Sequence, residues 1–338
     1  MDLNVGHCYT NNNKSCIKLD REPETSLLLY FFSGVVIVAT VFGNLLVVIS
    51  VSHFKQLHTP TNFLVLSLAV ADFLIGLLVM PFEFSSTIEY CWYFGKGICP
   101  FYLNYAILLS SASVAHLVVI SMDRYIAVCH PFFYSSKMTN AVMAFCIALV
   151  WLVSLLFTLI FLHFSGGSID MEECDGLCRI IHSAFWWSVY LVFIFALPVA
   201  IMIFLYAIIF LVAKSHARAI RASVQKMENG ESKKSNLSKS SERKAAKTLG
   251  IVVAVFIICV SPNFLIGPIL ESLPAQSLSS LFMYDLHDGF GLLFVINYGM
   301  NPFIYAFFYP WFQKSLKMMA TFKIFQPASS LTNLFPEK

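Results

Sequence analysis

Long stretches without a single Asp, Glu, Lys or Arg constrain this chain more than any motif in it. Uncharged windows run 25–54, 97–122, 138–169, 180–213, 248–270 and 289–313, and a seventh, 56–82, is interrupted only by Asp72. A helix needs about 20 apolar residues to cross the roughly 30 Å hydrocarbon core of a bilayer, and each window supplies them. An ordinary soluble chain is about 25% charged. This one, 338 residues long, is 12% charged and 58% apolar, too little polarity to cover water-facing domains. The same numbers exclude disordered, collagen-like and disulfide-scaffold chains, and the alternating segments of a membrane β-barrel are missing. The expected fold is an all-α membrane protein, a bundle of seven transmembrane helices. They are placed near Leu27–Val51, Phe63–Ile88, Cys99–Cys129, Asn140–Phe164, Phe185–Val212, Ala246–Leu270 and Asp288–Phe308.

Charge asymmetry orients the bundle. With the N-terminus outside, the outer segments carry five basic residues, Lys14, Lys18, Arg21, Lys96 and Arg179; the inner segments carry the other 17, ten of them between Lys214 and Lys247. Basic residues concentrate on the cytoplasmic side, so the tail of residues 1–26 is extracellular. Twelve acidic residues on the outer side, Glu172, Glu173, Asp285 and Asp288 among them, make that mouth net negative and favour approach of cations. Six of the nine cysteines (Cys8, Cys16, Cys91, Cys99, Cys174 and Cys178) fall on this oxidising side. Asn13-Lys14-Ser15 is a glycosylation acceptor there; Asn236-Leu237-Ser238, on the inner side, is not expected to be used. No basic-then-apolar leader opens the chain, so the first span is expected to direct insertion.

The spans cover 27–308. The polar stretch of about 214–245 reads as a third cytoplasmic loop between helical extensions of spans five and six. Beyond Phe308, Pro310 breaks the last span. Trp311, Phe312, Leu316, Met319 and Phe322 then recur at helical spacing, with Lys314, Lys317 and Lys323 between them. That pattern makes 309–338 a short amphipathic helix along the inner leaflet, followed by a tail.

Charge at membrane depth is costly and points to function. Asp72 is the one ionisable residue deep in span two. Asn44, Ser113, Asn297 and Asn301 are further polar groups at that depth. They form either one cluster that holds a small cation such as sodium by oxygen ligands, or separate groups bonded to neighbouring helices.

Four motifs fall in register with the spans. Gly43-Asn44 lies in span one, Asp123-Arg124-Tyr125 ends span three, Phe256–Pro262 lies in span six, and Asn301-Pro302-Phe303-Ile304-Tyr305 ends span seven. Together they resemble the rhodopsin-like G-protein-coupled receptors over about residues 25–325. The stretch 297–312 is similar to the span-seven fingerprint of the trace amine-associated receptors, departing from it at Tyr298, where that family has Ser. Residues 52–62 and 242–250 are also typical of that family, and so are Cys174 and Cys178, four apart in the second outer loop.

The resemblance implies a plasma-membrane receptor that binds a small amine and activates a heterotrimeric G protein, the stimulatory one, raising cyclic AMP, with an olfactory setting. It implies an activation switch in which Arg124 is held by Asp123 and by Glu242 at the base of span six, with Tyr125, Pro262, Pro302 and Tyr305 taking part. Pro81 and Pro198 permit further bends. Six cysteines permit 15 pairings. The resemblance implies Cys99–Cys178 and Cys8–Cys174, and leaves Cys16 and Cys91 either joined or free.

At the ligand site the resemblance weakens. Seven residues after Cys99, where the family and its aminergic relatives carry an aspartate for the ligand ammonium, stands Ala106. Residues 190–194 of span five supply no acid, and Val260 and Val295 replace aromatic residues. Two acids could substitute, Glu83 and Asp288. Glu83 either projects into the bundle or points at the headgroups. Ile107, Ser110, Tyr190, Asn263, Phe264 and Gly291 occupy positions that line the pocket in relatives. The missing aspartate keeps open a relative with a non-amine ligand, or an orphan or constitutively active receptor. A transporter is a distant alternative, since no duplicated halves appear. His163, His182 and His287 are scattered, so no catalytic or metal spacing emerges. No nucleic-acid partner is expected; membrane lipid is.

Overall fold

The computed structural model describes residues 5–19, 21–165, 174–178, 184–226, 250–266 and 278–335. An antiparallel pair, β1 (Val5–His7) and β2 (Ile17–Leu19), comes first, with Gly6 opposite Lys18. Helices follow: α1 (Pro23–His53), α2 (Pro60–Leu78), α3 (Met80–Glu89), α4 (Ile98–Cys129), α5 (Pro131–Lys137) and α6 (Asn140–Phe164). Then come α7 (Ala184–Leu191), α8 (Leu197–Lys226), α9 (Gly250–Ile266), α10 (Leu278–Phe308) and α11 (Pro310–Ala320). Six of the described stretches are long and apolar enough to cross a membrane, and α9 is a seventh, shorter apolar helix. The architecture is a seven-transmembrane bundle.

The ends of the helices follow local chemistry. Proline opens α1, α2, α5 and α11, where its missing N–H is an orphan donor in any case. The Thr59 and Thr139 hydroxyls accept from the backbone N–H groups of Asn62 and Val142, capping α2 and α6. The expected second span is two helices, because Pro81 cannot continue the ladder and crowds the preceding turn. The break falls at Val79, whose carbonyl accepts from the backbone N–H groups of both Phe82 and Glu83. Span five is likewise divided, by a π-turn over Val192–Ala196 just before Pro198. The short α5, unforeseen in the sequence, begins at Pro131. Helix α8 continues to Lys226 and α10 begins at Leu278, both beyond the uncharged windows, because helix outside hydrocarbon tolerates charge.

Helix α4 packs against α2, α6 and α8, and α1 packs against α2 and α10. Glycine permits the closest approach: a Cβ on Gly299 would lie 2.5 Å from the Thr40 hydroxyl oxygen. One apolar core fills the inner half, with Leu68, Leu117, Phe256 and Tyr305; a second fills the outer half, with Ile75, Phe84, Trp92 and Tyr102. Leu27, Phe31, Phe145, Phe204 and Phe210 are exposed on the flanks, as residues facing lipid are.

Three disulfides close the outer end: Cys8–Cys91, Cys16–Cys174 and Cys99–Cys178. The expected Cys8–Cys174 pair is therefore corrected, and Cys16 and Cys91 are bonded, though not to each other. The β1–β2 turn explains the exchange. Cys16 donates its backbone N–H to the Asp175 carbonyl at 2.9 Å, which sets Cys16 beside Cys174. Trp92 donates to the Gly176 carbonyl at 2.8 Å, bringing Cys91 to the far side of the same loop, next to Cys8. Gly176 has φ +108, and a Cβ there would meet the Cys8 Cβ at 2.7 Å, so only glycine fits between the two bridges. Asn13 is exposed in the turn between β1 and β2.

Candidate functional site

Three polar centres lie at successive depths. The outermost surrounds Glu83. By breaking the helix at Val79, Pro81 re-aims the turn that carries this residue. Glu83 accepts a hydrogen bond from the Tyr102 phenol of α4. That bond is made across to α4 by a phenol that is itself buried, so the carboxylate points into the bundle. The Tyr102 ring lies 5.2 Å from that of Trp92 and 6.1 Å from that of Phe82, so aromatic faces adjoin the carboxylate.

Deeper, aromatic rings carry the pocket inward. Phe264 stacks on Phe195 at 4.9 Å and on Tyr190 at 5.9 Å, and meets Phe294 at 6.2 Å; Phe294 in turn abuts Tyr298 at 5.7 Å. Tyr298 donates to the Ser110 hydroxyl at 2.9 Å. Ile107 is buried and Ala106 half-buried on the same helix. Gly291 faces Asn263, whose Oδ1 lies 4.0 Å from the point a Cβ would occupy. That Oδ1 and the Trp187 indole N–H are buried with no hydrogen-bond partner among the described residues, one an acceptor and one a donor. The side chain of Asp288 lies outside the described residues.

Mid-bundle, Asp72 is wholly buried. Its Oδ1 accepts from the Ser113 hydroxyl and its Oδ2 from the Asn301 amide, each at 2.8 Å. Asn297 is buried one turn before Asn301. Asn44 stands on the opposing helix, donating to the carbonyls of Thr40 and Tyr298, with its own Oδ1 unpartnered among the described residues. No cationic side chain reaches Asp72 among those residues.

At the inner end Arg124 pairs with Asp123, through Nε at 2.9 Å and through a second guanidinium nitrogen. Thr61 and Tyr134 complete the centre. Asp123 accepts from Thr61 at 2.9 Å and from Tyr134 at 3.0 Å, while Arg124 donates to both hydroxyls. Burial, reinforced by the Asp123 carboxylate, pushes the Tyr134 phenol above its ordinary pKa. Tyr125 packs edge-on against His130 at 5.7 Å. Pro302 is buried against Gly43, Pro262 is half-buried in α9, and the buried Tyr305 hydroxyl has no hydrogen-bond partner among the described residues. Glu242 lies outside the described residues, as does most of the third cytoplasmic loop.

Sequence reasoning passed over Tyr102, Thr61 and Tyr134. Tyr102 was findable: it stands one helical turn before Ala106 and so shares the face of the missing counter-ion. Thr61 and Tyr134 sit in loop-like contexts that no periodicity marks.

A family profile described as 7 transmembrane receptor (rhodopsin family) matches residues 43–305. The chain is similar to trace amine-associated receptor 9 of Mus musculus, with 43% identity across 98% of this chain and 95% of that one. It is also similar to trace amine-associated receptor 1 of Homo sapiens, with 42% identity across 98% of both.

Proposed function

The chain belongs to the trace amine-associated branch of the rhodopsin-family seven-transmembrane receptors, and we propose that it detects a small amine and activates a stimulatory heterotrimeric G protein, raising cyclic AMP. As a member of that family it is a multi-pass receptor of the plasma membrane, not an enzyme.

One observation carries the amine reading. Glu83 supplies a carboxylate in the outer half of the bundle, with a phenol and aromatic faces around it. A desolvated ammonium needs a paired carboxylate, and ring faces add cation–π attraction. Glu83 thus takes the work that Ala106 cannot do, and the ligand's apolar body lies along Tyr190, Phe264 and Phe294. The choice of a stimulatory G protein rests on family membership.

Activation follows from the inner centre. Arg124 is held by Asp123, Thr61 and Tyr134, and in this reading also by Glu242. Ligand favours a packing in which those bonds open and span six moves outward, exposing a cleft for the G protein. The Tyr305 hydroxyl assists: an unsatisfied buried hydroxyl costs about 1–3 kcal/mol, which a packing that gave it a partner would recover. The Asp72 carboxylate, bonded among the described residues only by neutral donors, fits a small monovalent cation such as sodium, with oxygens of Asp72 and Ser113 as hard ligands and Asn297 and Asn301 close by. Such an ion would favour the resting packing.

Cyclic AMP measured against a panel of aliphatic and aromatic amines tests the reading, with surface expression quantified. Glu83→Gln should weaken potency roughly tenfold or more, since a hydrogen bond to a charged group contributes about 1.5–3 kcal/mol. Equal potency would remove Glu83 as the counter-ion. Silence toward every amine at normal surface level would favour the non-amine reading instead.

A further inference from the structure

The carboxylate and the floor of the outer pocket stand far apart along one helix. Helix α4 runs inward from Ile98, and Tyr102, Ala106 and Ser110 share one of its faces at four-residue spacing. Tyr102 and Ser110 are buried, 7% and 8% exposed. Ala106 between them is only half-buried, although Leu103 and Ile107 on either side of it are buried too. Open space therefore adjoins this inward face at Ala106.

Hydrogen bonds fix the two ends of that space. At the top the Tyr102 phenol donates to the Glu83 carboxylate. The phenol leans outward, because helical side chains tilt toward the N-terminus, which on α4 is the outer end. At the bottom the Tyr298 phenol donates to Ser110 at 2.9 Å, and Tyr298 is 3% exposed. This bond joins α10 to α4 and closes the pocket. Three residues further in on the same two helices, Asn301 and Ser113 donate to Asp72. A ligand that enters from outside thus meets Tyr298 before Asp72.

The depth follows from the helix. Tyr102 and Ser110 are eight residues apart, about 12 Å along the axis. A carboxylate at position 106 would stand only about 6 Å above the floor. An extended chain advances about 1.2 Å per bond, so the added turn corresponds to about five bonds of ligand. The walls along it are apolar: Phe264 meets Tyr190, Phe195 and Phe294, and Phe294 lies edge-on to Tyr298 at the floor. An apolar end suits that floor, since Tyr298 has already given its proton to Ser110.

Building on the amine reading above, we propose that this site selects long-bodied amines. Glu83 holds the ammonium, and an apolar body reaches Tyr298, longer by about one helical turn than a carboxylate at position 106 would seat. The test measures cyclic AMP in cells expressing the full chain at matched surface level, with phenylethylamine and phenylbutylamine as probes. Each methylene brought into an apolar pocket gains roughly fourfold, so phenylbutylamine should exceed phenylethylamine roughly tenfold. Glu83→Gln combined with Ala106→Asp moves the carboxylate one turn inward and should reverse the order. Ser110→Leu raises the floor and should weaken phenylbutylamine roughly tenfold while sparing phenylethylamine.

A preference for phenylbutylamine that persists in whichever of these variants reach the surface would overturn the proposal, because lipid partitioning rather than the pocket would then set the order. Phenylethylamine equal or better on the wild type, with Glu83→Gln weakening both, would overturn the length and leave the amine reading standing. Silence toward both amines at normal surface level would overturn the amine reading and the length with it.

Discussion

At the outer end of the bundle, Cys8–Cys91, Cys16–Cys174 and Cys99–Cys178 tie the N-terminal hairpin, the first outer loop and the second outer loop into one covalent cap. At the inner end the elements described are joined without a disulfide: α2, α4 and α5 meet through Thr61, Asp123, Arg124 and Tyr134. The compartments account for part of this, since disulfides persist outside the cell and are reduced within it. Function accounts for the rest. A pocket gains from being built before its ligand arrives, because ordering it on binding would cost affinity. A transducing face has to rearrange, and hydrogen bonds break where covalent bonds do not.

The largest effect expected from breaking this contrast is at Arg124. Arg124→Ala leaves Asp123, 1% exposed at its side chain, without its cation. Removing one partner of a buried ion pair costs about 3–5 kcal/mol, toward the lower end here because Arg124 is 15% exposed. A lowered apparent melting temperature, with agonist-driven nucleotide exchange abolished at matched surface expression, is the expected result. Retained exchange would deny the inner centre its transducing role.

Next comes the cap. Cys8→Ser with Cys91→Ser removes the bridge that joins residues 83 apart, a change expected to cost about 2–4 kcal/mol. The hairpin stays attached through Cys16–Cys174, so the loss should appear as a lower melting temperature, with Cys99–Cys178 intact by mass mapping. An unchanged melting temperature would mean that the third bridge adds nothing to the cap.

The smallest effect sharpens the comparison by acid. Hydrogen bonds from Lys96 and Asn12 hold the Asp175 carboxyl below its ordinary range. A depressed folded pKa gives stability that is complete above the unfolded value of about 3.9 and lost as pH falls through the folded value. Lys18 runs the other way. Its partner Glu89 raises its pKa, so the lysine side of that pair is lost only in alkali, while the Glu89 carboxyl, held below its ordinary range by the same bond, loses the pair in acid as well. Amide exchange in the hairpin should therefore accelerate below about pH 4 relative to an Asp175→Asn variant at the same pH. Identical acid profiles would show that the ion pair does not hold the hairpin.

Much of this fold was legible in the residues themselves. The helix Asn140–Phe164 begins and ends where the sequence placed the fourth span, because Thr139 caps it and its length matches the hydrocarbon. The break before Glu83 was foreshadowed by Pro81 and the bend in span five by Pro198, though nothing in the residues of 192–196 marked that bend as a π-turn. At the sites, Asp72 with Ser113 and Asn301 could be anticipated from polarity at equal depth. Tyr134 could not, because only the fold of α5 returns its phenol to Asp123.

The sequence by itself determined the number of spans, their direction and the family. These depend on how charge is distributed along the chain, and hydrocarbon enforces that distribution residue by residue. Tertiary structure alone decided that Cys8 takes Cys91 and that Glu83 turns inward to Tyr102. Each is a meeting, within a few ångströms, of groups whose approach is set by helix breaks and reversed turns, and spacing along the chain carries no record of such distances.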